Sequence, residues 1–373
     1  MRTFTLIGIV VIGVVFTAQS VMAQFSAESR IQMMIDDNIN NNSLQITDNI
    51  TALHTVAGYD WEGDAWTGKI FYEGSLNYYR TVLSRTNQYH SGGALYSLYT
   101  GADGDNLLQL TTSVGTGIFR DDYVFYDHRA FSMALEYKYF LSERIINKFG
   151  YSYRSTSFVN AAGFSSSEHS VYGHAAFALP TNTTVILQAD LGTKYYTEAI
   201  ATTAQKGGWI NTINPDVTQL TGVARLGQRI TDETGISATF RYQWNLQKQS
   251  RYLIDADGYL LSDDEIFDDR YGYEGLHSSL MFTQLLSESM KIRVTGGIIN
   301  KLYSLLPAYG IDGTVLADQR NDQRTYVNIL LEKEFTDLGF GVKTSLDVIA
   351  NSSNDPFYDY NNKAVAVEFY VPF

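Results

Sequence analysis

The residues of this chain that could do chemistry are its six histidines and its forty carboxylates, and their spacing decides whether they do. Asp127-His128 could form an acid–base couple at a loop–strand junction, with the carboxylate orienting the imidazole. No second acidic pair accompanies it, so polar contacts within the fold account for it better. His169 and His174 differ in parity. An extended strand sends them to opposite faces, which speaks against a shared metal ion. Asp255-Ala256-Asp257-Gly258 has the carboxylates of a calcium loop, but its glycine comes two positions early and no ligand ladder follows. The flanking Tyr252-Leu253-Ile254 and Tyr259-Leu260-Leu261 read instead as the two arms of a hairpin. There is no serine elbow and no phosphate-binding glycine loop. The expectation is a protein that is not an enzyme, with no catalytic residue, metal or cofactor.

The remaining charges are informative through their phase. Lys138, Lys148, Arg154, Lys194, Arg225, Arg229, Arg241, Lys291, Arg293 and Lys343 are basic, and Glu73, Glu136, Asp190, Glu332, Glu334, Asp347 and Glu368 acidic. All lie on the polar phase of stretches that alternate at period two. In the clearest of these, Ile236, Ala238, Phe240, Tyr242, Trp244 and Leu246 alternate with Ser237, Thr239, Arg241, Gln243 and Asn245. Phe131 to Leu141, Leu108 to Ile118, Val185 to Leu191 and Phe340 to Val348 repeat the pattern. Such strands run to ~11–14 residues, longer than the ~5–6 of soluble sheets and adequate to cross a bilayer when tilted. One phase suits hydrocarbon and the other water. A charge in hydrocarbon costs a few kcal/mol, so the charges belong to an interior lumen.

The elements that must hold these residues are joined by connections that alternate short and long. Gly101 to Asn106, Ser142 to Arg144, Pro180 to Thr183, Thr231 to Glu233, Ser287 to Ser289 and Thr336 to Gly339 are short. Thr197 to Thr218, Gln249 to Tyr273 and Ser304 to Arg324 are long. Tight turns at one end and long loops at the other describe an up-and-down membrane barrel. Counting back from Phe373 gives fourteen strands from Trp66, a fifteenth from Asn49 to Trp61, and a sixteenth at Ser29 to Asp37. The fold expected is all-β, an antiparallel transmembrane barrel of sixteen strands. The alternative is fourteen strands with residues 24–48 folded inward as a hatch.

Composition agrees. Tyr (27) and Phe (20) favour pleated strands, and the five prolines are assigned to turns, loops and the chain end. Residues 1–23 read as a secretory signal, with Arg2, an apolar core Leu6 to Phe16 and a small-residue site at Val21-Met22-Ala23. Residues 24–373 read as one domain. Removing the signal takes away only Arg2, so 26 basic side chains face 40 acidic ones, a net charge of −14. Much of the acidity sits between Gln249 and Glu274. The chain has no cysteine and hence no disulfide.

The last strand carries a resemblance. Val365, Val367, Phe369, Val371 and Phe373 form an apolar row ending on the terminal aromatic. It resembles the C-terminal assembly signal of bacterial outer-membrane β-barrel proteins, and the chain after Ala23 is similar to porin-like barrels of Gram-negative bacteria. The resemblance implies an outer-membrane location after signal cleavage. It also implies insertion by the barrel-assembly machinery through Phe369, Val371 and Phe373, with outer-membrane lipid around the wall. The function expected is a passive channel for small hydrophilic solutes, with no nucleic-acid partner. Its lumen is expected to carry Arg154, Arg225, Arg229, Arg241, Lys291, Arg293, Glu332, Glu334, Lys343, Asp347 and Glu368, basic residues on one arc and acidic ones on another. The rivals are a closed surface barrel whose acidic loops bind a partner, and a hydrophobic-substrate channel with an N-terminal hatch. A 22-stranded energised transporter is excluded by length.

Overall fold

A computed structural model describes residues 24–101, 105–162, 165–197, 201–203, 210–212, 216–247 and 270–372. The signal segment, the hairpin around Asp255 and Phe373 lie outside these residues. Sixteen strands form the wall. They are β1 (Gln24–Asp36), β2 (Asp48–Glu62), β3 (Trp66–Tyr79), β4 (Asn87–Thr100), β5 (Asn106–Phe119), β6 (His128–Ser142), β7 (Ile145–Phe158), β8 (Ser166–Leu179) and β9 (Thr183–Tyr196). After a small ribbon of β10 (Ala201–Thr203) and β11 (Ile210–Thr212), the wall continues with β12 (Asp216–Arg229), β13 (Thr234–Asn245), β14 (Gly275–Ser287), β15 (Met290–Tyr309), β16 (Val315–Phe335), β17 (Phe340–Ser353) and β18 (Tyr360–Pro372). Each wall strand pairs antiparallel with its neighbours, and β1 pairs with β18 to close the ring. Closure satisfies every strand edge, which an isolated sheet in hydrocarbon could not do.

Directly opposed residues share a face, so one phase can be followed around the whole ring. Val223 pairs with Arg241, Arg241 with His277, Lys291 with Glu332, Lys343 with Glu368, and Glu368 with Gln32. This phase faces inward. The other carries exposed Phe240, Trp244, Leu280, Leu187 and Val365, side chains without a protein core to cover them. Tyr59 and Trp61 on β2, Trp66 and Tyr96 on β3 and β4, and Tyr242 and Trp244 on β13 are outward aromatics near strand ends. The inside–outside phase read from the sequence is that of the structure.

The turns lie at one end of the barrel and the loops at the other. Gly339 closes the β16–β17 turn with φ +68°, a left-handed conformation that a Cβ would disfavour. Two expectations are corrected. Residues 24–36 are a wall strand hydrogen-bonded to both β2 and β18, so neither a fourteen-strand wall nor an N-terminal hatch exists. Ser304 to Arg324 is not a loop. β15 and β16, of 20 and 21 residues, extend past their neighbours as a hairpin whose tip is residues 310–314. Pro307, expected in that loop, stands within β15 where the register shifts. A missing N–H is tolerated at such an irregularity.

Candidate functional site: the lumen wall and its collar

Near the turn end, four adjacent strands place oppositely charged side chains side by side. Lys291, Glu332, Lys343 and Glu368 occupy successive register positions on β15 to β18. Lys291 Nζ lies 2.7 Å from Glu332, and Lys343 Nζ 3.0 Å from Glu368. The Tyr370 hydroxyl donates to Glu332 at 3.3 Å and reaches Glu334 at 3.5 Å. The rungs follow from register, since direct opposition brings the side chains of alternating sign together. Elsewhere Lys148 pairs with Glu136 at 2.9 Å, Lys194 with Glu168 at 3.8 Å, and Lys69 with Asp60 at 3.2 Å. Arg229 pairs with Asp232 of the adjoining turn, and Asp347 accepts a hydrogen bond from Asn328 at 2.7 Å. Of the expected acidic arc, Glu332 and Glu368 are therefore neutralised where they stand.

Three guanidinium groups are not. Arg225 and Arg241 are exposed to the lumen, and among the described residues neither makes an ion pair or a side-chain hydrogen bond. Arg293 is half-buried opposite Leu330, and its Nε has no hydrogen-bond partner. All three lie on β12, β13 and β15. Around the ring of sixteen, β13 stands diametrically opposite β3, and β3 carries Glu73 at a matching distance from the turn end. Glu73 is shared with His54 across 2.9 Å.

Arg154 belongs to the basic arc expected from the sequence. The structure places it directly opposite Glu168, at the edge of a recess of about 210 Å³. Small inward residues of β5 to β8, including Thr111, Ala134, Ser152 and Ser170, floor that recess, and Arg270 covers it from the loop end. Small side chains in one row leave the space, and the bulkier Arg154 and Glu168 in the next row bound it.

Arg270 reaches this position because the segment Arg270–Tyr273 is folded back into the barrel. Gln219 donates through Nε2 to the Arg270 carbonyl at 2.7 Å and to the Tyr273 carbonyl at 3.2 Å, and Gln243 reaches the Arg270 carbonyl at 3.2 Å. Tyr271, 1 % exposed, packs on Tyr196 and Val217. Its hydroxyl occupies the space a Cβ on Gly192 would need. Asn245 donates through Nδ2 to the Tyr271 carbonyl at 3.4 Å, so four carbonyl contacts and one buried aromatic hold a loop segment against the inner wall of β9, β12 and β13.

Two further clusters complete a collar at the loop end. Arg320 is buried on the inner face, its guanidinium 3.2 Å from the Tyr358 ring centroid and 4.4 Å from that of Tyr303. It grips Asp322 through Nε at 3.1 Å and Nη2 at 2.5 Å. On the opposite side of the β1–β18 seam, Arg85 is buried beneath Asn40 and stacks on Tyr79 and Tyr123. The Asn-rich loop is tied down as well: Asn38, fully buried, donates to the Asn42 carbonyl at 2.8 Å and the Asn361 carbonyl at 3.1 Å. Sequence reading missed the collar. Arg270 to Tyr273 lie within the long Gln249–Glu274 stretch, and nothing in the sequence says which wall strands receive them.

Of the expected assembly residues, Val365 and Phe369 are exposed on the outward face and Val371 shares that phase. His169 points outward among Tyr151, Tyr153 and Tyr195, whereas His174 faces the lumen opposite Lys148. His128 packs on Phe158, with its Nδ1 at 2.9 Å from the Tyr126 carbonyl, while Asp127 accepts from the Phe119 amide at 2.7 Å. The two side chains are thus engaged separately.

No protein-family model matches the chain, and comparison with curated proteins finds no match. Solved structures do match. OpdO of Pseudomonas aeruginosa superposes with a TM-score of 0.53 at 9 % identity, covering 94 % of this chain and 97 % of that one. OccAB3 of Acinetobacter baumannii gives 0.51 at 8 % identity, covering 94 % and 100 %, and OccAB1 of the same organism 0.51 at 9 %, covering 94 % and 96 %. The likeness spans the whole barrel and is one of fold.

Proposed function

We propose that this chain is a porin-like channel of the bacterial outer membrane, through which small hydrophilic solutes diffuse passively. The carrying observation is the closed sixteen-stranded wall with apolar side chains outside and charged ones inside. Barrels of this strand number leave an aqueous channel unless something fills it. The loop end faces the exterior, since short turns belong on the periplasmic side. The collar sets the size of solute admitted, and the unpaired Arg225, Arg241 and Arg293 opposite Glu73 set its charge preference. Residues 1–23 serve as the cleaved signal. The apolar row Phe369, Val371 and Phe373 is what the barrel-assembly machinery reads.

Planar-bilayer recording of the purified protein tests the reading. Discrete conductance steps are expected, and a barrel that inserts without conducting would instead be the closed surface protein. Arg241→Glu should shift the reversal potential toward cations in a salt gradient. The shift should grow as salt is lowered, because the Debye length lengthens from ~10 Å at 0.1 M to ~30 Å at 0.01 M. An unchanged reversal potential would take Arg241 out of the permeation path.

A further inference from the structure

Arg129 is the second residue of β6, and its register partners Thr116 and Ser157 place it on the outward phase. It is exposed, and among the described residues it has no ion pair and no side-chain hydrogen bond. A guanidinium on the lipid face is costly at the bilayer midplane and far less so near the interface. One residue from the loop end of its strand, Arg129 stands at the headgroup level. Its counter-charge has to come from outside the protein.

The surroundings favour one kind of partner. Ser157 opposite Arg129 is exposed with its hydroxyl unengaged, and Ser155 and Ser167 form an opposed outward pair beside it. Thr116 is already committed, donating to the His128 carbonyl at 3.0 Å. Toward the membrane centre the same face turns apolar at once, with Val114 61 % and Phe131 38 % exposed. Phe131 and Tyr153 form a ring pair with centroids 6.1 Å apart. Hydroxyl donors beside a lone guanidinium suit phosphate oxygens, which guanidinium binds in bidentate fashion. An apolar surface directly below suits acyl chains.

We infer that Arg129 and Ser157 hold the phosphate of an anionic lipid of the outer leaflet, with its chains lying against Val114 and Phe131. The inference rests on the membrane reading above and adds a lipid site outside the permeation path. It is tested by native mass spectrometry of the full-length protein released from nanodiscs of equal phosphatidylglycerol and phosphatidylcholine. Wild type should retain phosphatidylglycerol preferentially. Arg129→Gln should lower that preference about fivefold, the factor corresponding to ~1 kcal/mol per basic residue at a membrane surface. Arg129→Lys, which keeps the charge but loses the bidentate fork, should fall between wild type and Arg129→Gln. Ser157→Ala, which preserves the charge, should reduce it about threefold, as loss of one hydrogen bond does. An unaltered lipid ratio in folded Arg129→Gln, or equal loss of both lipids, would overturn the site. If Arg129→Gln does not fold, an unaltered ratio in Ser157→Ala overturns it instead. Conductance should be the same in all four proteins. A wild type that retains the anionic lipid but does not conduct would count against the channel and not against the lipid site.

Discussion

Tyr271→Ala should widen the channel without unfolding it. The wild-type side chain is 1 % exposed and fills the space between Tyr196, Val217 and Gly192. Truncating a buried aromatic to alanine costs ~3–5 kcal/mol. What remains includes four hydrogen bonds to the segment's carbonyls, two from Gln219 and one each from Gln243 and Asn245, and the Tyr273 ring against Tyr303. At ~0.5–1.5 kcal/mol each, four such bonds supply ~2–6 kcal/mol. Fixing the four backbone residues costs ~4–8 kcal/mol, at or above what the hydrogen bonds supply, so the segment should leave the wall for much of the time. The wall strands keep their own ladder, so the barrel should persist. Single-channel conductance should rise, and in a liposome-swelling assay the size limit for uncharged sugars should move upward. Gln219→Leu should do the same more weakly, and Gly192→Leu should act by occupying the seat. Unchanged conductance and size limit in a folded Tyr271→Ala protein would refute the assignment of Arg270–Tyr273 as a constriction.

Other outcomes follow from the same geometry. Arg320→Ala removes the cation between Tyr303 and Tyr358 and strips buried Asp322 of its partner, which should cost ~3–5 kcal/mol in urea unfolding of the folded barrel. Glu332→Gln leaves Lys291 without its carboxylate partner and removes the negative charge between Lys291 and Lys343. The cost should stay near ~1 kcal/mol, because the rungs are partly solvated, and high salt should diminish it. Phe373→Ser should lower the yield of folded barrel on expression while leaving the conductance of what does fold unaltered; normal accumulation would show that the terminal aromatic is not a signal. Full-length protein should migrate faster unheated than boiled, with its mature chain beginning at Gln24, and recovery in soluble form without detergent would remove the membrane reading.

What the sequence determined is what depends on one side chain at a time. In a strand of period two, each residue's face follows from parity alone, so Phe240 and Trp244 are outward and Arg241 inward wherever the strand lies. Summed over strands, parity and turn length were enough for the strand count, the charged interior and the outward row of Val365 and Phe369. The sequence could not say how strands are staggered, and stagger decides which charges meet. Lys291 and Arg293 share one face of β15, as Glu332 and Glu334 share one face of β16, yet the register sets only Lys291 opposite an acid and puts Arg293 against Leu330. Closure, a global property, set Arg241 across the lumen from Glu73 and made residues 24–36 a wall strand instead of a hatch. The collar needed both. Gln219, Tyr196 and Gly192 make a seat only when β9 and β12 are neighbours, and Tyr271 fills it from a position more than fifty residues further along the chain. Contacts of that kind depend on the mutual placement of distant segments, which local periodicity does not encode.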